Sequence, residues 1–195
     1  RTGRPGLYFT NVHGGNQRLI FSSPNLYWID TADISPDGSQ IVFTGENGLE
    51  NSVEVRVVPA LGGEDRLVGR GIDALWRPDG QRIGYLLTGP RSQSGHLEFW
   101  TVRPDGGDAR REFIDSTCTG RGHLGFTWSP DGRQIAYTRG LDGETRQVIM
   151  IRDLASGKAH RITHEHEVID ELCWTTRGDI LFSTNRSGTV NLWVI

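Results

Sequence analysis

One short turn motif recurs four times along the chain, and no other feature restricts the possible folds so tightly. Ile34-Ser35-Pro36-Asp37-Gly38 is followed by the apolar run Gln40-Ile41-Val42-Phe43, and Trp76-Arg77-Pro78-Asp79-Gly80 by Arg82-Ile83-Gly84-Tyr85. A third copy reads Trp128-Ser129-Pro130-Asp131-Gly132, then Gln134-Ile135-Ala136-Tyr137. The fourth is degenerate: Trp174-Thr175-Thr176-Arg177-Gly178, then Ile180-Leu181-Phe182. The turn glycines Gly38, Gly80, Gly132 and Gly178 stand 42, 52 and 46 residues apart. A second signal keeps step. Small-residue turns begin at Gly62, Gly106 and Ser156, each 24 to 26 residues after the preceding turn glycine, with a further one at Gly14-Gly15. Two turn signals sharing one period define a structural repeat.

Each unit reads as four strands. Proline presets φ at the first corner of the turn, Asp bonds its own backbone, and Gly accepts the left-handed position. In the third unit Phe126-Thr127-Trp128 enters that turn and Gln134–Thr138 returns from it, followed by Gln147–Arg152 and a short polar strand, Ala159–Thr163. The runs Ile41-Val42-Phe43 and Val148–Ile151 are apolar at consecutive positions, as in sheets covered on both faces. No window combines helical periodicity with a capping box. Four-stranded units of this period, stacked face to face around an axis, are the blades of a β-propeller. A β-sandwich, the competing all-β arrangement, gives no reason for the repeated turn.

The segment Trp128-Ser-Pro-Asp-Gly-Arg-Gln-Ile-Ala-Tyr137 resembles the signature of the TolB-type, WD-like propeller repeat. Asn185–Trp193 is similar to that family's link into its third strand, and Leu61–Leu67 to its third-to-fourth turn. The resemblance covers nearly the whole chain and is specific for the repeat type. It implies a cell-envelope or periplasmic setting and a non-enzymatic scaffold that takes a protein or peptide partner. Repeats of this type also form the gating domains of prolyl-oligopeptidase-like peptidases, which gives an alternative role as the substrate filter of a catalytic domain outside this chain. A metal-dependent, sugar-active propeller is a further alternative. Fold-level analogy does not choose among them.

About four blades' worth of sequence is present: a half-blade at 6–21, blades near 30–69, 72–115 and 124–163, and a partial blade at 171–195. Residues 1–8 align with 186–193, so the chain enters at the third strand of one blade and leaves at the third strand of another. Either the termini close one blade together, or the 195 residues are a segment of a larger ring. The second is the expectation, with apolar terminal faces covered by missing blades or by self-association.

Composition narrows the function. The net charge is −3, without the concentrated basic surface of a nucleic-acid binder. No apolar stretch approaches the roughly 18 residues of a membrane span, so no membrane insertion is expected. There is no Gly-x-Ser-x-Gly elbow, no phosphate-binding glycine loop and no Cys-x-x-Cys pair, and no cofactor is expected. Cys173, beside Trp174, reads as core, and so do Trp76, Trp128 and Trp174.

Two clusters remain as candidate sites. Asp30, Asp73, Asp170 and Glu171, with His123 in the intervening repeat, fall just before the innermost strands, where a propeller opens one mouth of its channel. Carboxylates there would focus a negative potential on a cation or a basic partner segment. The weaker cluster is His164-Glu165-His166, whose two imidazoles could join a carboxylate such as Asp170 on a zinc or manganese ion.

Overall fold

The computed structural model describes residues 5–13, 15, 17–88, 96–118, 124–140, 147–163, 168–185 and 188–195. Every regular element among them is a β-strand. β1 (Gly6–Phe9) and β2 (Arg18–Ser22) form a two-stranded sheet. Three four-stranded sheets follow, each in sequential order. The first contains β3 (Leu26–Ile34), β4 (Gln40–Asn47), β5 (Ser52–Pro59) and β6 (Arg66–Arg70). The second contains β7 (Ile72–Trp76), β8 (Ile83–Leu87), β9 (Leu97–Val102) and β10 (Arg110–Asp115). The third contains β11 (Phe126–Trp128), β12 (Gln134–Gly140), β13 (Gln147–Asp153) and β14 (Ala159–Arg161). A three-stranded sheet closes the series: β15 (Ile169–Trp174), β16 (Ile180–Thr184) and β17 (Asn191–Val194). This is the blade pattern of an all-β propeller, sequential antiparallel sheets with the strand order of blades.

The repeated turn is held by a hydroxyl. Ser35 Oγ donates to Asp37 Oδ1 at 2.6 Å and accepts the Gln40 N–H at 2.9 Å, while Gly38 sits at φ 73°. Ser129 and Asp131 repeat both bonds at 2.6 and 2.9 Å, with Gly132 at φ 66°. The Ser35 hydroxyl, followed by the N–H and hydroxyl of Ser39, lowers the Asp37 carboxyl to about 2. The degenerate fourth copy keeps the turn. Thr175 Oγ1 takes the serine's role by accepting the Asp179 N–H at 3.1 Å, and Gly178 holds φ 96°. The Thr176-Arg177 replacement therefore costs the Asp bond but not the left-handed glycine that closes the hairpin.

Two compact units can be distinguished, one comprising Arg1–Trp76, Gly80–Tyr85 and Thr101–Arg110, the other Arg77–Asp79, Leu86–Trp100 and Arg111–Ile195. In the first, the β1–β2 sheet lies on one face of the β3–β6 sheet. Ile20 and Phe21 pack against Leu26, Phe43 and Val58, with the Phe21 and Phe43 rings 4.9 Å apart. On the other face β7 packs against β3, β4 and β5, and Asp33 Oδ2 accepts the Trp76 N–H at 2.8 Å. Val42 to Gly45 are consecutively buried, as a doubly covered strand requires.

In the second unit an aromatic cluster links Phe99 to Phe126 and Trp128 at 5.0 and 5.5 Å. A second core joins Ala136 and Ile149 of the third sheet to Ile169, Ile180 and Phe182 of the last. Thr127 Oγ1 accepts the Trp174 N–H at 3.2 Å, the counterpart of the Asp33–Trp76 bond. Full burial of a side chain such as Phe182 is worth about 1.5–3 kcal/mol, so these stacked faces carry most of the stability. The fourth strands are polar by contrast, with all of β14 exposed.

Candidate functional site at the inner-strand bulges

The acidic residues sit on irregular backbone. Register in the β3–β4 pair shifts between Ile29 and Ala32, which places Asp30 and Thr31 in a bulge. The Thr31 N–H donates to Thr44 Oγ1 at 3.3 Å, and the two threonine hydroxyls lie 2.7 Å apart. The β15–β16 pair shifts in the same way between Ile169 and Leu172, around Asp170 and Glu171. There the Glu171 N–H donates to Ser183 Oγ at 3.2 Å. In the third sheet the Gly125 N–H donates to Thr138 Oγ1 at 2.9 Å. A hydroxyl at the end of the apolar run of the second strand (Thr44, Thr138 and Ser183) thus takes up an N–H in or just before the inner strand, and in the first and last sheets it is an N–H that the bulge withdraws from the ladder. In the second sheet the corresponding position is Leu86, which cannot accept a hydrogen bond. Its inner strand carries instead a left-handed residue, Asp73 at φ 55°, and aspartate is among the few side chains that tolerate that region.

Asp30, Asp73 and Glu171 consequently lie within β3, β7 and β15 rather than just before them. In β3 and β15 the strand starts earlier than the sequence suggests because a bulge keeps pairing on both of its sides and so extends the strand past the irregularity. Asp30 and Glu171 are exposed and Asp73 is half-buried. Asp30 and Asp73 belong to the first compact unit and Glu171 to the second. The side chain of Asp170 lies outside the described residues, and so do His123, His164 and His166. No group of three or more His, Cys, Asp or Glu among the described residues is placed to hold a metal ion. What Asp30, Asp73 and Glu171 supply is carboxylate acceptors lifted off the regular alternation of their sheets, suited to a cation or to N–H donors of a ligand.

Other assignments divide. Trp76 and Trp128 are buried at 6% exposure each. Trp174 is half-buried and donates its indole N–H to the Gly178 carbonyl at 3.2 Å. Cys173 is exposed, not core. It shares a cross-strand row with Leu181 and Val194, on the face of the last sheet opposite the one that packs on the third. Cys118 is the buried cysteine.

The sequence reading missed two buried carboxylates. Glu54 (2% exposed) accepts from Asn47 Nδ2 at 3.0 Å and pairs with Arg56 at 2.7 Å, while Arg56 also pairs with Asp65. Glu98 (0% exposed) accepts the Trp100 indole N–H at 2.9 Å. A signal was available: each glutamate stands nine residues before the second glycine of its Gly-Gly turn, inside an otherwise apolar strand. Both glutamates stand on third strands, and the Asn47–Glu54 bond ties one of these to its second strand.

The fold and its repeated inner-strand device define a β-propeller of four-stranded repeats. No family model and no curated protein matches the sequence. Among solved structures it is similar to TolB from Acinetobacter baumannii, at TM-score 0.77 and 19% identity, covering 98% of this chain and 46% of that one. It is also similar to an oligogalacturonate lyase in complex with manganese, at TM-score 0.70 and 16% identity, covering 99% and 57% respectively. A prolyl endopeptidase aligns at TM-score 0.63 and 14% identity, covering 97% of this chain and 30% of that chain. The chain spans about half the length of the TolB and lyase chains. Similarity at these identities establishes the propeller fold, and TolB and prolyl-peptidase propellers are its structural neighbours.

Proposed function

We propose that this propeller is a non-enzymatic binding scaffold that takes a basic segment of a protein or peptide partner at its inner-strand bulges, in the cell envelope. The observation that supports the reading is the recurrence of exposed or half-exposed carboxylates seven or eight residues before the turn glycine, Asp30, Asp73 and Glu171, each on irregular backbone. Bulges re-aim side chains and are enriched beside functional sites. Asp30 and Asp73, within one compact unit, set like charges on a rigid scaffold, which raises the local concentration of a cationic partner. The backbone is held by the Thr44 and Ser183 hydroxyls, so little rearrangement on binding is expected. The envelope setting rests on the resemblance to TolB repeats alone.

The test uses a fluorescently labelled oligolysine peptide and anisotropy at low and moderate salt. The variant Asp30→Asn/Asp73→Asn/Glu171→Gln should bind at least tenfold more weakly, with a shallower salt dependence. A control variant at an exposed turn carboxylate, Asp105→Asn, should bind like the parent. Equal affinity for the triple variant and the control would sink the proposal.

A further inference from the structure

Two positions of the repeat meet at the turn end of each four-stranded blade: the second residue after the Pro-Asp-Gly glycine and the residue after the small-residue turn. They are Gln40 and Glu64 in the first blade, Arg82 and Asp108 in the second, and Gln134 and Lys158 in the third. One of the two is a cation in the second and third blades, and neither is in the first.

In the second blade the pair closes on itself. Arg82 Nη1 donates to Asp108 Oδ2 at 3.0 Å, Nη2 to the Asp108 carbonyl at 2.7 Å, and Nε to Thr101 Oγ1 at 2.8 Å. The Arg82 side chain is 13% exposed. Asp108 also accepts from Arg110 Nε at 2.9 Å, so one carboxylate holds two guanidinium groups.

In the first blade the same corner is a cavity of about 370 Å³ lined by Gln40, Glu64, Val57, Pro59 and Arg66, within the range of small-ligand sites. Gln40 pairs with Pro59 and Val57 with Arg66, so two adjacent cross-strand rows form its walls. Gln40 Oε1 is buried and has no hydrogen-bond partner among the described residues. Glu64 is exposed and joins no ion pair among them. A buried acceptor without a donor is costly, and here it shares a cavity with an unpaired carboxylate. Arg66 occupies the position of Arg110 and donates its Nε to the Pro104 carbonyl at 3.2 Å. The second blade shows that an arginine at that position tolerates another guanidinium beside it. The corner lies within a four-stranded sheet, and all of these residues belong to one compact unit.

We propose that this cavity binds a guanidinium group, carried by a small molecule or by an arginine of a peptide. Its N–H groups reach Gln40 Oε1 and the Glu64 carboxylate as those of Arg82 reach Thr101 and Asp108, a planar fork matched to a carboxylate. Its alkyl stem lies along Val57 and Pro59. The site stands at the opposite end of the strands from the Asp30 bulge and does not depend on the bulge carboxylates.

Calorimetric titration with methylguanidine and with the blocked peptide acetyl-Gly-Arg-Gly-amide tests it. At least one should saturate one-to-one; saturation by methylguanidine shows that the free group suffices, and by the peptide alone that the source is a peptide. The neutral isostere acetyl-Gly-citrulline-Gly-amide should bind at least tenfold more weakly than the arginine peptide. Glu64→Gln, an exposed and conservative change, should weaken binding at least tenfold. Gln40→Arg, which supplies the second blade's own cation, should abolish it with unchanged circular dichroism. The Asp30→Asn/Asp73→Asn/Glu171→Gln variant should bind these probes like the parent. Failure of both guanidinium probes to saturate, undiminished binding by Glu64→Gln, or binding lost only in the triple variant would overturn the proposal.

Discussion

Replacing Thr138 by valine isolates the hydroxyl that holds the inner strand of the third blade. Thr138 is 1% exposed, and its Oγ1 accepts the Gly125 N–H at 2.9 Å and lies 3.4 Å from the Gly125 carbonyl. Valine preserves the volume and the β-branch but leaves that N–H without an acceptor. An unsatisfied buried donor costs about 1–3 kcal/mol, against roughly 1 kcal/mol for an ordinary bond lost to water. The Thr138 N–H still donates to the Gly125 carbonyl at 2.9 Å, which keeps the two strands in register. The expected loss for Thr138→Val is therefore about 2 kcal/mol, or roughly 4–8 °C in Tm for a chain of this size. Urea unfolding measures the first quantity and calorimetry the second. Amide exchange supplies the local readout, since Gly125 should exchange much faster while the amides of β13 stay protected. A variant within about 0.5 kcal/mol of the parent, with Gly125 exchange unchanged, would refute the account of the hydroxyl as the acceptor that holds the Gly125 N–H.

Two further perturbations test the blade contacts. Burial raises the Asp33 carboxyl above its ordinary value, against the lowering effect of the Trp76 and Ile34 N–H groups. A raised folded value means that the folded state binds the proton more tightly, so this group's contribution to stability grows as pH falls through that value and is smallest at neutral pH. Asp33→Asn keeps an acceptor for Trp76 without the buried charge. It should be more stable than the parent at neutral pH and converge with it in acid, as followed by thermal melts across pH. Phe182, 2% exposed in the core between the third and last sheets, should cost about 3–5 kcal/mol as Phe182→Ala. An effect below about 1 kcal/mol in urea unfolding would mean that these two sheets do not stabilise each other.

What the sequence determined by itself is the local chemistry and its period. Ser35-Pro36-Asp37-Gly38 closes its own turn through bonds spanning no more than five residues, so it is legible wherever it recurs, and the period then implies stacked four-stranded sheets. The degenerate turn at Thr175 was recoverable for the same reason, because its hydroxyl and its glycine act locally. Tertiary structure decided which faces are covered. Cys173 beside a tryptophan looks like core, yet its strand turns it to the open side, while Glu98, charged by type, is fully buried with an indole for a partner. The backbone under Asp30, Asp73 and Glu171 was also beyond local reading. Whether an inner strand bulges onto a hydroxyl or turns left-handed at an aspartate depends on a residue of the neighbouring strand, Thr44 or Leu86, more than ten positions away. Short-range bonds reveal themselves in composition and spacing. Burial and strand irregularity arise only when distant segments compete for the same donors and the same space.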